Sequence, residues 1–232
     1  MEAKTLRERA RTHLAGNWGL SIAAAAVASL LGGMIVGSNF LPEVSAELKT
    51  WFPFLEKFIR KGITVGKLTF SLRGGMIALT AFFIGGVIQL GYADFLLKQH
   101  DRQEVDFSIL FSKFDYFGTG FAQYFLRSLY ETLWALLLVI PGIVKGYSYS
   151  MTPFILAEHP NLTASQAIGL SQQMMDGHKA ELFFLDLSFI GWDLLAALTL
   201  NLGNLALNPY KNAARAAFYR QLQAENRYTS YE

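Results

Sequence analysis

Residues 18–37, WGLSIAAAAVASLLGGMIVG, decide the fold class of this chain. The stretch is as long as the roughly 20 helical residues that cross a hydrocarbon core about 30 Å thick. Two apolar stretches of similar length follow, at residues 121–140 and 182–200. Helices are the natural spanning form, because a backbone in lipid must satisfy its own hydrogen bonds. The sequence therefore predicts an all-α, polytopic transmembrane helix bundle.

Each of these three stretches is preceded by a short polar helix and a glycine, and each is followed by a second apolar or amphipathic segment. The three preceding segments are residues 10–16, 110–118 and 170–177. The three following segments are residues 74–97, 143–157 and 203–222. The count predicts about six spans, and the repeated order indicates three repeats of an interfacial helix plus a hairpin. The alternative is that any even-numbered bundle looks repetitive.

The same pattern predicts a single membrane domain over residues 1–232. Residues 1–15 form a cytoplasmic amphipathic helix in this interpretation, and residues 38–73 form an extracytoplasmic insertion. Residues 98–119 and 158–181 are expected to be cytoplasmic interfacial segments.

Local signals predict one turn and one helix start. Pro141-Gly142 is expected to form a tight turn, because proline fixes φ and glycine admits a positive φ. Thr163 and Gln166 have the spacing of a capping box, so a helix should begin there.

Composition excludes several classes of protein. The 232 residues are 52% hydrophobic and 16% charged, with a net charge of +2, which is too small to indicate a nucleic-acid partner. The chain has no cysteine, so disulfides, thiolate metal sites and cysteine nucleophiles are excluded.

Lysine and arginine predict the orientation through the positive-inside rule. With the N-terminus inside, the cytoplasmic side receives Lys4, Arg7, Arg9, Arg11, Lys98, Arg102, Lys113, Lys179, Arg220 and Arg227. The basic residues of the 38–73 insertion oppose this choice. The expected location is a cell membrane that the chain crosses several times, with a cytoplasmic N-terminus.

Charges at membrane depth are the sharpest functional signal, because each costs a few kcal/mol on insertion scales and is usually paired or faces water. The candidates are Arg127, Glu131, Lys145, Asp186, Asp193, Lys211 and Arg215. Arg127 and Glu131 are four residues apart and can pair on one helix face. Lys145 can extend toward the membrane surface. Folding the last two spans into a hairpin aligns Asp193 with Lys211, and Asp186 with Arg215.

A polar stripe runs along the last span beside these charges. It consists of Asn201, Asn204, Asn208, Asn212 and Tyr219. One interpretation is a wet groove that handles a small solute or lipid. The other is a structural or assembly protein whose charge pairs only hold helices in register.

No catalytic, cofactor-binding or metal-binding residues are predicted. The four histidines have no ligand spacing, and no serine lies in a nucleophile elbow. We therefore expect a protein that is not an enzyme and needs no cofactor. Its expected partners are membrane lipids, and a small solute or a partner membrane protein, but no nucleic acid.

Several motifs resemble one known family. They are ARTHLAGNWG at residues 10–19, IPGIVKGYSYSMTP at 140–153, MDGHK at 175–179 with LSFIGW at 187–192, and NPY at 208–210 with AFY at 217–219. In order and content they resemble domain-of-unknown-function family 975, integral membrane proteins of bacteria. The sequence departs from the family at residues 201–204, where a more apolar, glycine-rich turn is expected. The resemblance implies a bacterial inner-membrane protein and brings no established activity.

Overall fold

A computed structural model describes residues 3–32, 67–137, 139–198 and 203–229. Within these ranges the chain forms helices and turns and no strand, which confirms the all-α prediction. Residues 38–66 of the predicted insertion, and Asn201 of the polar stripe, lie outside the described residues.

The described helices are named here in chain order. They are α1 (Ala3–Leu14), α2 (Trp18–Gly32), α3 (Lys67–His100), α4 (Phe117–Leu137), α5 (Val139–Ser148), α6 (Thr152–Glu158), α7 (Ala164–Met174), α8 (Lys179–Leu187), α9 (Ile190–Leu198) and α10 (Asn204–Thr229). Two short 3₁₀ helices, Phe107–Phe111 and Phe114–Tyr116, join α3 to α4. None of the described helices is both long enough and apolar enough to cross a membrane.

Helix α3 is the centre of the packing. Residues 85–97 are buried on every side of the helix, where α2, α4, α6 and α10 pack against it. Two glycines allow the closest approaches. A Cβ atom at Gly86 would lie 2.1 Å from the backbone oxygen of Gly120 on α4, and one at Gly91 would lie 2.0 Å from the backbone oxygen of Leu110. Backbone therefore contacts backbone at both points.

Helix α1 is amphipathic, as predicted. Leu6, Ala10 and Leu14 are fully buried, and α1 packs mainly against α10. Arg9 and Arg11 remain exposed. The 3–4 spacing of the apolar residues places them on one face, which explains why a helix with so many charges still joins the core.

Helix starts are partly as predicted. The capping box at Thr163 and Gln166 is confirmed, with both reciprocal hydrogen bonds at the start of α7. Helix α3 begins at Lys67, seven residues before the predicted start of the second span at residue 74.

The predicted tight turn at Pro141-Gly142 is wrong. Both residues lie in the first turn of α5, which starts at Val139 directly after α4 ends at Leu137. The first four amides of a helix have no partner within it, so proline is tolerated there without losing a hydrogen bond.

Two predicted spans are each broken into two helices. Residues 143–157 divide between α5 and α6, and residues 182–200 divide between α8 and α9. At the first break, Ser171 Oγ on α7 donates to the Ser148 carbonyl at 2.8 Å and accepts from the Met151 amide at 3.2 Å. At the second break, Arg7 on α1 donates to the Ser188 carbonyl at 3.1 Å. Both breaks thus receive a polar side chain from another helix, α7 at the first and α1 at the second.

The glycine that precedes each apolar stretch has a conformational role at two of its three occurrences. Gly16 has φ +91° between α1 and α2, and Gly177 has φ +78° between α7 and α8. Side chains rarely adopt this left-handed conformation, so glycine is required for these turns. The third glycine, Gly118, lies within α4. The three-repeat arrangement stays a prediction.

Candidate functional site

The two acid–base pairs predicted between the last two spans are present in the structure. Lys211 Nζ on α10 lies 2.5 Å from Asp193 Oδ1 on α9. Arg215, one helical turn further, donates through Nη2 to both carboxylate oxygens of Asp186 on α8, at 3.1 and 2.9 Å. The antiparallel register deduced from residue counting is therefore confirmed. These four side chains keep 22–32% of their surface exposed.

A third helix joins the Asp186–Arg215 pair. The Tyr147 hydroxyl on α5 donates to Asp186 Oδ2 at 3.3 Å. One carboxylate therefore accepts from α5 and from α10 while it belongs to α8. Charge-assisted hydrogen bonds are roughly twice as strong as neutral ones, so this carboxylate is a point of attachment between three helices.

The predicted pair on α4 is also present. Arg127 Nε lies 2.8 Å from Glu131 Oε1, and Arg127 is buried with 7% of its surface exposed. The same helix carries a neutral polar contact that sequence reasoning missed. The buried Gln123 donates to Gln89 on α3 at 3.1 Å. The sequence signal for this contact was a glutamine within an apolar stretch of each helix, since a buried amide needs a hydrogen-bond partner.

Lys145 lies over an aromatic ring. Its Nζ is 5.1 Å from the ring centroid of Trp134 on α4, which is a cation–π geometry. The predicted extension toward the membrane surface is not tested by this contact. The lysine and the exposed Trp134 together link α5 to α4.

The asparagines of the polar stripe are half-buried along α10. Asn208 lies one turn before the lysine of the Asp193 pair, and Asn204 begins the helix. Asn212 lies beside the buried Tyr92 hydroxyl of α3. The stripe therefore runs along the interface between α10 and its neighbours, beside the two ion pairs.

A larger polar cluster, which sequence reasoning missed, lies near the end of α10. Arg220 forms ion pairs with Glu158 at the end of α6 and with Asp101 after α3. Tyr219 donates to Glu158 Oε2 at 2.6 Å, and Gln223 also donates to this carboxylate. Burial alone raises the pKa of Glu158, but the hydrogen bonds from Tyr219 and Arg220 lower it more, so the net pKa is below its ordinary value. The carboxylate stays ionised and joins α6 to α10.

The signal for this cluster was present in the sequence. Glu158 directly follows a run of buried residues, 151–157, and a carboxylate at the end of such a run needs a cation. Sequence reasoning used Arg220 only for orientation. It had no means of placing α6 against α10, because these two segments are about 60 residues apart.

Arg7 is the other contact that the sequence did not reveal. Besides its bond to the Ser188 carbonyl, its guanidinium lies 6.0 Å from the Phe189 ring centroid. The Tyr210 hydroxyl on α10 donates to the Arg7 carbonyl at 3.2 Å. A cation is favourable at a helix C-terminus because the helix dipole is negative there. Arg7 therefore stabilises the end of α8 from α1.

Among the described residues, no three His, Asp or Glu side chains are grouped so that they could hold a metal ion. The chemistry shown by the described side chains is attachment of one helix to another. Ion pairs join α10 to α6, α8, α9 and Asp101 after α3, and Tyr147 on α5 bonds to the α8 carboxylate of one of these pairs.

These features define the class: an all-α protein in which ion pairs between charged side chains connect neighbouring helices. The family model described as "Protein of unknown function (DUF975)" matches residues 136–226. This match confirms, over that segment, the resemblance that the motifs indicated. Three of the four groups of motifs lie inside the match, and residues 10–19 lie outside it. No curated protein and no solved structure matches the chain.

The matched segment contains every helix from α5 to α9 and most of α10. It includes both acid–base pairs and Tyr147. The family description attaches no activity, which agrees with the prediction of an unknown biochemical activity.

Proposed function

We propose that this is a bacterial membrane protein embedded in lipid, with its N-terminus in the cytoplasm. The observation that carries the proposal is a band of large apolar side chains left exposed by the fold. Soluble monomers rarely expose large contiguous apolar patches. A patch of this kind therefore marks a surface that a membrane or another molecule covers.

The band follows helix faces. On α4, Phe125, Leu129 and Leu133 are exposed at a spacing of four residues. Ile140, at the start of α5, is 75% exposed. Residues at this spacing form one continuous side of a helix. The opposite side of α4, with Gly120 and Gln123, is buried against the rest of the protein.

The same pattern continues across the break between α8 and α9. Phe184, Leu187, Ile190 and Leu194 are exposed at spacings of three or four residues, and Leu194 is 68% exposed. The exposed apolar face therefore extends from α8 to α9, although the helix is interrupted between them. Lipid acyl chains would cover these exposed side chains, and removing their apolar surface from water is favourable.

Within this membrane setting, we propose that the ion pairs have a structural or assembly role. Each acid meets a base at hydrogen-bonding distance, and Asp186 meets two donors on two different helices. Buried or half-buried charges in lipid are tolerated when they are paired. The pairs hold the short helices α8 and α9 against α10.

The second candidate is small-solute or lipid handling along the polar stripe. The favouring observation is that the four paired side chains keep a quarter or so of their surface exposed, beside the half-buried Asn208. A solute could then displace a pair member. Paired Asn substitutions at Asp186 and Asp193 that preserve folding but fail to rescue a deletion strain would favour this candidate. Substitutions that lower stability and also fail to rescue the strain favour the structural role.

Membrane embedding is tested by extraction. Cells expressing the full chain are lysed, and membranes are washed with alkaline carbonate and then dissolved in detergent. We expect the protein in the membrane pellet after carbonate and in solution only after detergent. Release by carbonate or high salt would show that the protein is not embedded.

Orientation is tested with single cysteines, since the chain has none of its own. A cysteine at position 49 should react with an impermeant maleimide in intact cells. A cysteine at Asp176, whose side chain is 85% exposed, should react only after permeabilisation. Reaction at Asp176 in intact cells would reverse the orientation.

A further inference from the structure

Two imidazole rings stack where the end of α1 meets the end of α3. The ring centroids of His13 and His100 are 4.2 Å apart, with 34° between the ring planes. His100 Nδ1 lies 3.3 Å from Asp101 Oδ1. His13 Nδ1 is buried and has no hydrogen-bond partner among the described residues. The contact thus contains a polar atom with unused hydrogen-bonding capacity.

The charged groups around these rings are mainly positive. Arg9 on α1 and Arg102 in the loop after α3 are exposed. Arg220 on α10 also faces the rings, and it donates through Nε to Asp101 at 3.1 Å. Asp101 is therefore shared between a guanidinium and His100, and Glu158 is paired with Arg220. The rings thus lie near three guanidinium groups, and the nearby carboxylate, Asp101, is already paired with Arg220.

Both rings are held neutral by this environment. Burial is the largest cause that lowers the pKa of His13 below 6.5, and the charges of His100 and Arg102 lower it further, against Asp101. Burial also lowers the pKa of His100, with Asp101 opposing and Arg220 contributing. An added anion would oppose the guanidinium charges and favour protonation of both rings.

We propose that Arg9, His13, His100 and Arg102, named here the basic histidine cluster, bind a phosphodiester group such as that of a membrane phospholipid. Arginine suits this ligand because its planar fork of donors matches the phosphate oxygens. On protonation each imidazole has N–H groups at both nitrogens and a positive charge, and both favour an anion. The proposal does not rest on membrane embedding, because a soluble phosphodiester presents the same oxygens.

Phosphate binding and proton uptake are then coupled. If the bound anion raises the pKa of the histidines, protonation must strengthen anion binding by the same factor. A phosphodiester keeps one negative charge between pH 5.5 and 7.5, so any pH dependence in this range comes from the protein. Affinity should therefore be higher at pH 5.5 than at pH 7.5.

The test uses the full chain in a neutral detergent, with ¹³C-labelled histidine and NMR titration. The probes are phosphatidylglycerol added to the micelles and its water-soluble headgroup, glycerophosphoglycerol. His13→Gln and His100→Gln assign the two signals. We expect at least one probe to raise the pKa of both histidines and to bind about tenfold more tightly at pH 5.5 than at pH 7.5. If each guanidinium adds about 1 kcal/mol, Arg9→Gln with Arg102→Gln should weaken binding about 30-fold.

The matched control is Lys4→Gln with Arg11→Gln, which removes the same charge from exposed positions of α1 outside the cluster. This control should keep most of the affinity. A response to the free headgroup assigns recognition to the phosphate alone, and a response only to the lipid assigns it to a phosphate presented at a surface. Unchanged histidine pKa values with both probes would overturn the proposal, and so would equal losses in the two double variants. Carbonate extraction does not depend on phosphodiester binding. Failure of the binding test therefore does not count against membrane embedding, which extraction tests separately.

Discussion

Helix α3 and the helix pair α8–α9 have similarly apolar sequences and opposite surroundings. Residues 85–97 of α3 are buried on all sides, with backbone contact to α4 at Gly86. Helices α8 and α9 bury Leu182, Leu185 and Phe189 but expose most of their remaining apolar residues. The first region is packed by protein, whereas the second presents one face to protein and one face to its environment.

This difference shows that hydrophobicity alone does not locate a helix in this fold. Small residues mark the buried helix, because Gly86 and Gly91 allow backbones to meet. Charges mark the peripheral pair, because Asp186 and Asp193 attach it to α10. The kind of contact, backbone to backbone in α3 and ion pairs in α8–α9, therefore distinguishes the two regions better than their hydropathy.

The largest expected effect comes from adding one methyl group at the centre. Gly86→Ala places Cβ 2.1 Å from a backbone oxygen, so the helices must separate, at a cost of about 3 kcal/mol or more. Gly191→Ala on α9 is the matched control, because nothing lies within 4 Å of its added Cβ. It should be neutral or stabilise the protein by up to about 1 kcal/mol. Thermal unfolding in detergent measures both; equal effects would contradict the contrast between the regions.

The next effect concerns the attachment of α8 to α10. In a double-mutant cycle with Asp186→Asn and Arg215→Gln, each single change leaves one charge without its partner. Because both side chains are about a quarter exposed, we expect a coupling of about 1–3 kcal/mol, below the value for fully buried pairs. The exposed pair Asp176–Lys179 is the control and should show little coupling. Additive losses of stability in the Asp186–Arg215 cycle would show that this pair does not hold α8 against α10.

Acidification should weaken the attachment of α1 to α3. The pKa values of His13 and His100 are lowered in the folded protein, so the unfolded chain binds more protons as the pH falls. Stability should be constant above pH 6.5 and fall between pH 6.5 and the lowered pKa values. His13→Gln with His100→Gln should flatten this part of the profile. A profile unchanged by the double variant would show that other groups control the acid response.

The smallest expected effect is at the periphery. Leu194→Ala removes an apolar side chain that touches little protein, so stability in detergent should change by less than about 0.5 kcal/mol. Leu185→Ala, on the buried side of α8, should cost about 2 kcal/mol or more. A large loss from Leu194→Ala would mean that protein covers this face.

Sequence reasoning predicted the parts of the fold that depend on local pattern and register. The helical class, the amphipathic α1, the capping box at Thr163 and the pairs at Asp186 and Asp193 follow from spacing alone. Each needs only residues near in sequence, or a hairpin whose register is fixed by counting.

The failures depend on distant contacts. The breaks at Ser148 and Ser188 receive side chains from Ser171 and Arg7, and Arg7 is about 180 residues away from its acceptor. The cluster at Arg220 similarly joins three separate helices. A single sequence shows such residues as ordinary polar positions, since their role appears only when the helices are packed.

The most direct test of the central claim asks what touches the exposed apolar faces of α4 and of α8–α9. Single cysteines at Phe184, Leu194 and Leu133 are labelled with a fluorophore in proteoliposomes, with Arg11 as the exposed polar control. We predict that phospholipids with brominated acyl chains quench the first three labels strongly and the fourth weakly, and that aqueous iodide does the reverse. Strong iodide quenching at Phe184 and Leu194, with no response to brominated chains, would contradict membrane embedding of this face.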